Sequence, residues 1–418
     1  MNSGLRAEGG GPRQAGRGPG AGGRGPGAKT QDSPIPLSLY VHIPWCVRKC
    51  PYCDFNSHAL RGPVDQAAYV DALLCDLDHE TRRQPLGEIG SIFFGGGTPS
   101  LLEGQQVARL LEGVDRRLRL VDDIEITLEA NPGTAEAARF ADYRAAGVNR
   151  LSLGIQSLDD ASLAALGRIH DAREAREAVR LARAAGFDNI NLDLMFGLPG
   201  QTPREAADDL REVIALAPEH LSWYQLTLEP NTPFHHQPPQ LPDDDAVATI
   251  ADEGMSILRE HGFGRYEISA YAQADRRCRH NLNYWTFGDY LGIGAGAHGK
   301  LTLADGVVQR SSKRRHPDDY VRQSTTGALS SQRAVAETEL PVEFMLNALR
   351  LVDGVPEHLF AERTGLELAV ITDQLVAARD RGLLVRDRGQ LHATALGLRF
   401  LNDLLALFEP DTEEETRA

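Results

Sequence analysis

From Leu37 onward, short runs of β-branched and aromatic residues alternate with segments whose apolar residues recur every three or four positions. The runs at Leu39–Ile43, Ile92–Phe94, Ile124–Leu128, Arg150–Ile155, Ile190–Met195 and Leu221–Leu228 predict strands. A helical pattern follows each. Val70, Leu73, Leu74 and Leu77 stand at i, i+3, i+4, i+7, and Val107, Leu110, Leu111 and Val114 repeat that spacing. Six βα repeats predict an α/β fold with a parallel sheet and crossover helices, closed or partly closed: a partial (β/α)6 TIM-like barrel. In such a barrel the chemistry sits at the C-terminal ends of the strands. Five candidate features fall there. They are the cysteines after the first strand, GGGTP after the second, Glu129 after the third, Gln156 after the fourth and Asp193 in the fifth.

The expected barrel spans 37–262. Residues 263–334 form an extension, with a strand expected at Arg265–Tyr271, then RHNLNYW and the Gly-rich GIGAGAHG. From Val335 the pattern is helical, with Phe344, Leu346 and Leu351 expected in a core. A turn at Arg381–Gly382, a hairpin over LLVRDRGQLHAT and a last helix through Phe408 follow. That order predicts a small winged-helix-like α+β domain over 335–409, with a solvated acidic tail over 410–418.

Composition narrows the function. The 418 residues are 42% hydrophobic and 25% charged, ordinary globular usage for more than one average domain. A net charge of -15 argues against nucleic acid as the main partner. It leaves room for a small basic pocket that takes a carboxylate or a porphyrin side chain. Charges interrupt every apolar run short of a membrane span, and the N-terminus lacks the apolar stretch of a secretory signal. Residues 1–36 are Gly-, Pro- and Arg-rich and are expected to be disordered. An Arg-bearing tail with few acids could mimic a transit peptide, but its glycines and prolines oppose an amphipathic helix. Five cysteines, three of them clustered, argue against a disulfide framework and for a reducing cytoplasm with thiols as metal ligands. Cys75 lies inside a helix and is expected to be a small core residue.

The chemistry centres on SLYVHIPWCVRKCPYCDFNSH. Three thiolates in CxxxCxxC (Cys46, Cys50 and Cys53) can reach three irons of one cubane and leave the fourth iron open. A structural zinc would need a fourth ligand, such as His42, His58 or something remote. With GGGTP in a βα-repeat frame, this segment resembles the radical S-adenosylmethionine (SAM) superfamily. That resemblance implies a [4Fe–4S] cluster whose open iron binds SAM, with reductive cleavage to methionine and a 5′-deoxyadenosyl radical. A dry barrel mouth would protect such a species.

The likeness extends to the branch that holds coproporphyrinogen dehydrogenases and heme chaperones. It implies SAM contacts at Tyr40, Tyr52, Gly96, Gly97, Thr98, Glu129, Gln156, Arg168 and Asp193, with Thr227 and His298 aligned less securely. Arg168 can fork to a carboxylate, while Glu129 and Asp193 can accept from an ammonium or ribose hydroxyls; taken singly, each could equally be a cap or an ion-pair partner. Within the branch, the dehydrogenases carry a further Cys two positions after the third. Here that position is Phe55, as in the chaperones. The segment His280-Asn281-Leu282-Asn283-Tyr284-Trp285 matches the HNxxYW motif linked to heme binding in the chaperones, with His280, Tyr284 and Trp285 as candidate heme contacts and Cys278 as a competing ligand. A satisfied core histidine beside core aromatics is the structural alternative. The resemblance therefore implies a heme chaperone without coproporphyrinogen oxidase activity, working with heme-accepting, possibly respiratory, proteins. It further implies an electron donor such as flavodoxin or ferredoxin, peripheral membrane association, and a monomer or dimer. The alternative is an oxygen-independent dehydrogenase of porphyrin biosynthesis.

Overall fold

A computed structural model describes residues 35–133, 137–387 and 389–410. The expected disordered tail over 1–36 and acidic tail over 410–418 lie outside the described residues, except Ile35, Pro36 and Pro410.

The six predicted strands form as β1 (Leu37–Ile43), β2 (Ile89–Gly96), β3 (Leu120–Ala130), β4 (Arg150–Gln156), β5 (Ile190–Phe196) and β6 (His220–Gln225). They pair in parallel in that order. The connecting helices are α1 (Gln66–Thr81), α2 (Gly104–Asp115), α3 (Phe140–Ala146), α4 (Ala172–Ala184) and α5 (Pro203–Ala215), with α6 (Asp244–Glu260) after β6. Capping boxes start α4 (Asp171 with Glu174) and α5 (Thr202 with Glu205), satisfying N–H groups that a helix leaves open at its start.

Strands of a parallel sheet covered by helices on both sides read as continuous apolar runs. These strands alternate instead. Leu39, Val41, Ile92, Leu128, Leu151, Leu192 and Leu221 are buried in the core beneath the helices. The intervening positions carry Tyr40, Thr127, Glu129, Arg150, Ser152, Asn191, Asp193 and His220. Their side chains bond across strands on the opposite, inner face. Asn191 Nδ2 donates to Ser152 Oγ at 2.8 Å, Ser152 Oγ to Asp193 Oδ2 at 3.1 Å, and His220 Nδ1 meets Asn191 Oδ1 at 2.6 Å. The inner face is thus a polar lining rather than a second core. Arg150 is only 2% exposed, and the carboxylates of Glu125 and Asp193 in the same interior offset its charge.

Beyond 262 the structure departs from the expected elements. The strand expected at Arg265–Tyr271 is two short antiparallel pieces, β7 (Gly264–Arg265) and β8 (Ala270–Ala272), with β8 on the edge of β6. The RHNLNYW segment is a helix, α7 (Arg279–Trp285). After it comes β9 (Asp289–Ile293), which pairs in parallel with β1 on the side away from β2. An antiparallel run, β10 (His298–Thr302), β11 (Val308–Lys313) and β12 (Leu329–Ala334), completes an open twelve-stranded sheet. A buried ion cluster ties this run to α1: Lys313 Nζ bonds Asp76 at 2.6 Å and Glu80 at 2.5 Å, and Tyr320 donates to Asp76.

A second core gathers α9 (Leu340–Ala348), α10 (His358–Thr364) and α11 (Thr372–Asp380), numbered after α8 (Pro317–Gln323). A ribbon of Val355–Pro356 on Gln390–Leu391 completes this winged-helix-like unit. Phe344 and Leu351 are in the core as expected, but Leu346 is 47% exposed because it faces away from the buried stripe of α9. The expected hairpin keeps only a Leu384–Ala393 bridge, because the ribbon partner of 390–391 comes from 355–356. The last helix is broken at Phe400 into short turns.

Candidate functional site

The cysteine loop leaves β1 and is held at both ends. Trp45–Cys46 pairs with His58–Ala59, and Asn56 clamps the loop to the turn before β10 and to the segment after β11, donating through Nδ2 to Ala295 O and Arg315 O at 2.9 Å each. Cys46, Cys50 and Cys53 line one wall of a cavity of about 300 Å3. Among the described residues no three His, Cys, Asp or Glu side chains converge on a point that could hold a single metal ion. A cubane takes one thiolate per iron corner, so its ligands need not meet at a single point as those of a tetrahedral zinc do. Burial pushes the Cys46 and Cys53 thiols up, so iron would displace protons on binding.

The same cavity is lined by Tyr52, Gly96, Gly97, Thr98, Glu129, Gln156, Arg168 and Asp193. Gly96, Gly97, Thr98, Glu129, Gln156 and Asp193 stand in or just after the C-terminal halves of their strands, whereas Tyr52 belongs to the cysteine loop and Arg168 follows a short helix after β4. Gly96 has φ +113°, and a Cβ there would meet the His42 ring at 2.5 Å; at Gly97 it would meet Trp45 O at 2.5 Å. The loop can run this close to the cysteine segment only without side chains. Gln156 holds φ +64°, which a non-glycine residue adopts at a cost, and Tyr224 fixes its side chain by donating to Oε1 at 2.8 Å. Arg168 Nη1 reaches Cys50 Sγ at 3.4 Å, while Nη2 donates to Asn131 Oδ1 and Gly154 O. Among the described residues its Nε is buried without a partner, a donor left for a ligand. Glu129 is pushed up to about 8 by burial and then by the Asp193 carboxylate; burial also raises Asp193. A cationic group between these two acids would be favoured, which suits the amino end of SAM. Asn131 and Tyr224 also line this cavity and were missed by motif reading. Asn131 links Thr98 to Arg168, and both residues stand at strand C-termini, the signal that could have found them.

Tyr40 and His298 do not line this cavity. They line a second one of about 540 Å3, which shares Phe55, Gly96 and Glu129 with the first. Thr227 lines neither and is exposed. The HNLNYW helix keeps His280 and Tyr284 together, their rings 4.7 Å apart, and sends Trp285 elsewhere. Its start is fixed by Glu125, which accepts the N–H groups of Arg279 and His280. His280 sinks into the barrel interior, with Nδ1 at 3.1 Å from Ser91 Oγ and its ring stacked on Phe93. Its Nε2 is buried without a partner among the described residues, and burial pushes the ring down to about 3, so it is neutral. Tyr284 reaches the second cavity. Trp285 packs on the second core beneath the Arg350 guanidinium, 4.4 Å from its ring. Cys278 is buried at the helix start and pushed up to about 12 by burial and then by Glu125.

A parallel inner face whose strand ends carry three separated thiols and a glycine loop defines a radical SAM protein, a class with a [4Fe–4S] cluster and SAM as cofactors. The model of the Radical SAM superfamily matches residues 40–213, and that of the HemN C-terminal domain matches 335–400. The chain is 52% identical to heme chaperone HemW of Escherichia coli over 89% of its length and 98% of that protein, and 49% identical, with the same coverage, to heme chaperone HemW of Haemophilus influenzae. It is also similar to coproporphyrinogen III oxidase HemN from E. coli, a radical SAM enzyme, at TM-score 0.76 and 25% identity over 90% of each chain. The chain belongs to the HemW heme chaperone family. Among the described residues no helix is long and apolar enough to cross a membrane.

Proposed function

We propose that this protein binds heme and passes it to acceptor proteins, using a scaffold that holds a [4Fe–4S] cluster on Cys46, Cys50 and Cys53 and SAM across the facing wall. The observation that carries this reading is the junction of two cavities of different chemistry. One is lined by thiols and paired acids, the other by Tyr40, Phe55, Tyr284 and Tyr290, and they share Phe55, Gly96 and Glu129. When bound, the cluster supplies an electron and an open coordination position. The chain's own groups do the rest. Glu129 and Asp193 accept from the ammonium and hydroxyl groups of SAM, Arg168 faces its carboxylate, and the Gly96–Gly97 backbone closes over it.

Phe55 separates this reading from porphyrin oxidation. It puts an exposed aromatic ring, 63% accessible, at the shared rim where the oxidising branch has a thiol. Acceptor proteins would dock at this open rim, as would an electron donor of the flavodoxin or ferredoxin kind; the donor would approach the thiol side. The test uses anaerobically reconstituted protein with SAM. Saturable one-to-one hemin binding, transfer to an apo-acceptor and no turnover of coproporphyrinogen III are expected. Protoporphyrinogen formed at catalytic turnover would overturn the reading.

A further inference from the structure

We infer that His298 is the iron ligand of an iron porphyrin seated in the aromatic cavity, with Arg315 facing a propionate. The inference rests on the heme reading and names the site within it. A ligand pocket is typically about 300–1,000 Å3 with aromatic walls and few polar groups, and the cavity of about 540 Å3 meets that description. Two histidines line it. His42 is spent: Nδ1 meets Tyr40 Oη at 3.0 Å and Nε2 meets Asn56 O at 2.9 Å. His298, at the first position of β10, makes no hydrogen bond among the described residues and faces the cavity from an exposed edge. Burial, and then the Arg315 and Arg310 charges, lower its pKa, so the ring offers a lone pair at neutral pH.

The cations divide in the same way. Lys313 is buried against Asp76 and Glu80, and Arg310 is paired with Glu343. Arg315 has no ion pair among the described residues, although its Nε lies 3.5 Å from Asn56 Oδ1, and it stands on the cavity wall, where a carboxylate can take its fork. His280 is a poorer ligand in this structure. Its ring is not on the cavity wall, and it is enclosed by Phe93, Tyr40 and Tyr284. A histidine on an exposed edge also suits a protein that must give its cargo away, because the metal can change ligand without the core opening.

The experiment is hemin titration of the reconstituted protein, read by Soret difference spectra and by EPR of the ferric heme. His298→Ala, His298→Met, Arg315→Glu and His280→Gln are compared with wild type. The expected result is at least tenfold weaker binding and a displaced Soret band in His298→Ala, with imidazole restoring the wild-type spectrum, and a methionine-ligated spectrum in His298→Met. Arg315→Glu should weaken binding severalfold with the spectrum unchanged. Unchanged affinity and spectrum in His298→Ala, with loss in His280→Gln, would overturn the inference while leaving the chaperone reading intact. Loss of SAM binding in His298→Ala with heme unaffected would also overturn it. If wild type binds no hemin, the functional reading itself fails.

Discussion

The cysteine loop and the HNLNYW helix are the two segments whose residue types speak most directly of cofactors, and the fold treats them in opposite ways. The loop is held at its ends by backbone pairing and Asn56, so its three thiols stay on an open cavity wall. The helix distributes its side chains by the helical turn: His280 inward, Tyr284 to the second cavity, Trp285 to another core. A motif on a loop can gather its side chains at one point. A motif on a helix gathers only those three or four positions apart.

The comparison predicts that loop substitutions change cofactor content at little cost in fold stability, whereas helix substitutions do the reverse. The largest effect is expected for Cys50→Ala. Iron and sulfide analysis after reconstitution should show loss of the [4Fe–4S] cluster, with SAM binding weaker by roughly 10–100-fold, as for other lost ligand shells. Its metal-free form should melt within about 1 kcal/mol of wild type, since no core contact is lost. Next comes His280→Ala. Removing a buried, stacked ring and one of the two side-chain partners of Ser91, which keeps its bond to Ser38, should cost roughly 2–3 kcal/mol in a denaturant melt. A wild-type melting profile would break the comparison.

A slightly smaller effect concerns pH on the loop side. Asp209 in α5 accepts from Ser157 Oγ at 2.6 Å and from Leu158 N–H at 2.7 Å, holding the turn that follows Gln156. Burial raises it from an ordinary 3.8 to about 6, despite those bonds. The native state therefore keeps a proton that the unfolded chain releases earlier. This contribution is full below about pH 4 and is lost as pH rises through 6. Asp209→Asn keeps the bond from Leu158 N–H, lets its Nδ2 donate to Ser157 Oγ in place of accepting from it, and removes the titration. It should match wild type at pH 4 and exceed it by roughly 2 kcal/mol at pH 8 in urea melts. The smallest effect is expected for Trp285→Phe. It forgoes the contact with Arg350 but also removes an indole N–H that is buried without a partner, so the net cost should be under about 1 kcal/mol, read as a melting shift of a few degrees at most.

What was legible in the sequence follows the range of the interactions involved. Local periodicity located the six parallel strands and the buried stripes of α1 and α2, because each element's pattern is contained within it. The thiols stood out by their spacing, while the glycine loop and the acids were picked out by their places at strand ends and by a family resemblance. The parallel pairing of β9 with β1 was not, since it joins residues 252 positions apart, as Leu37 with Asp289, and leaves no local mark. Nor was the exposure of Leu346, which depends on which side of α9 the second core lies. Asn131 carries no motif. Only its bonds to Thr98 and Arg168 reveal it.

The placement of β9 also bears on how the molecule is made. One edge of β1 meets its partner only when Asp289–Ile293 has been synthesised, 246 residues after Ile43. At elongation speeds of about 5–20 residues per second, that leaves a strand edge with one apolar face unpaired for roughly 10–50 s on the ribosome. The nascent chain thus passes through a stage in which the strand that launches the cysteine loop is open to intermolecular pairing. Chaperone supply during translation, rather than the stability of the finished fold, is expected to set how much protein a cell recovers.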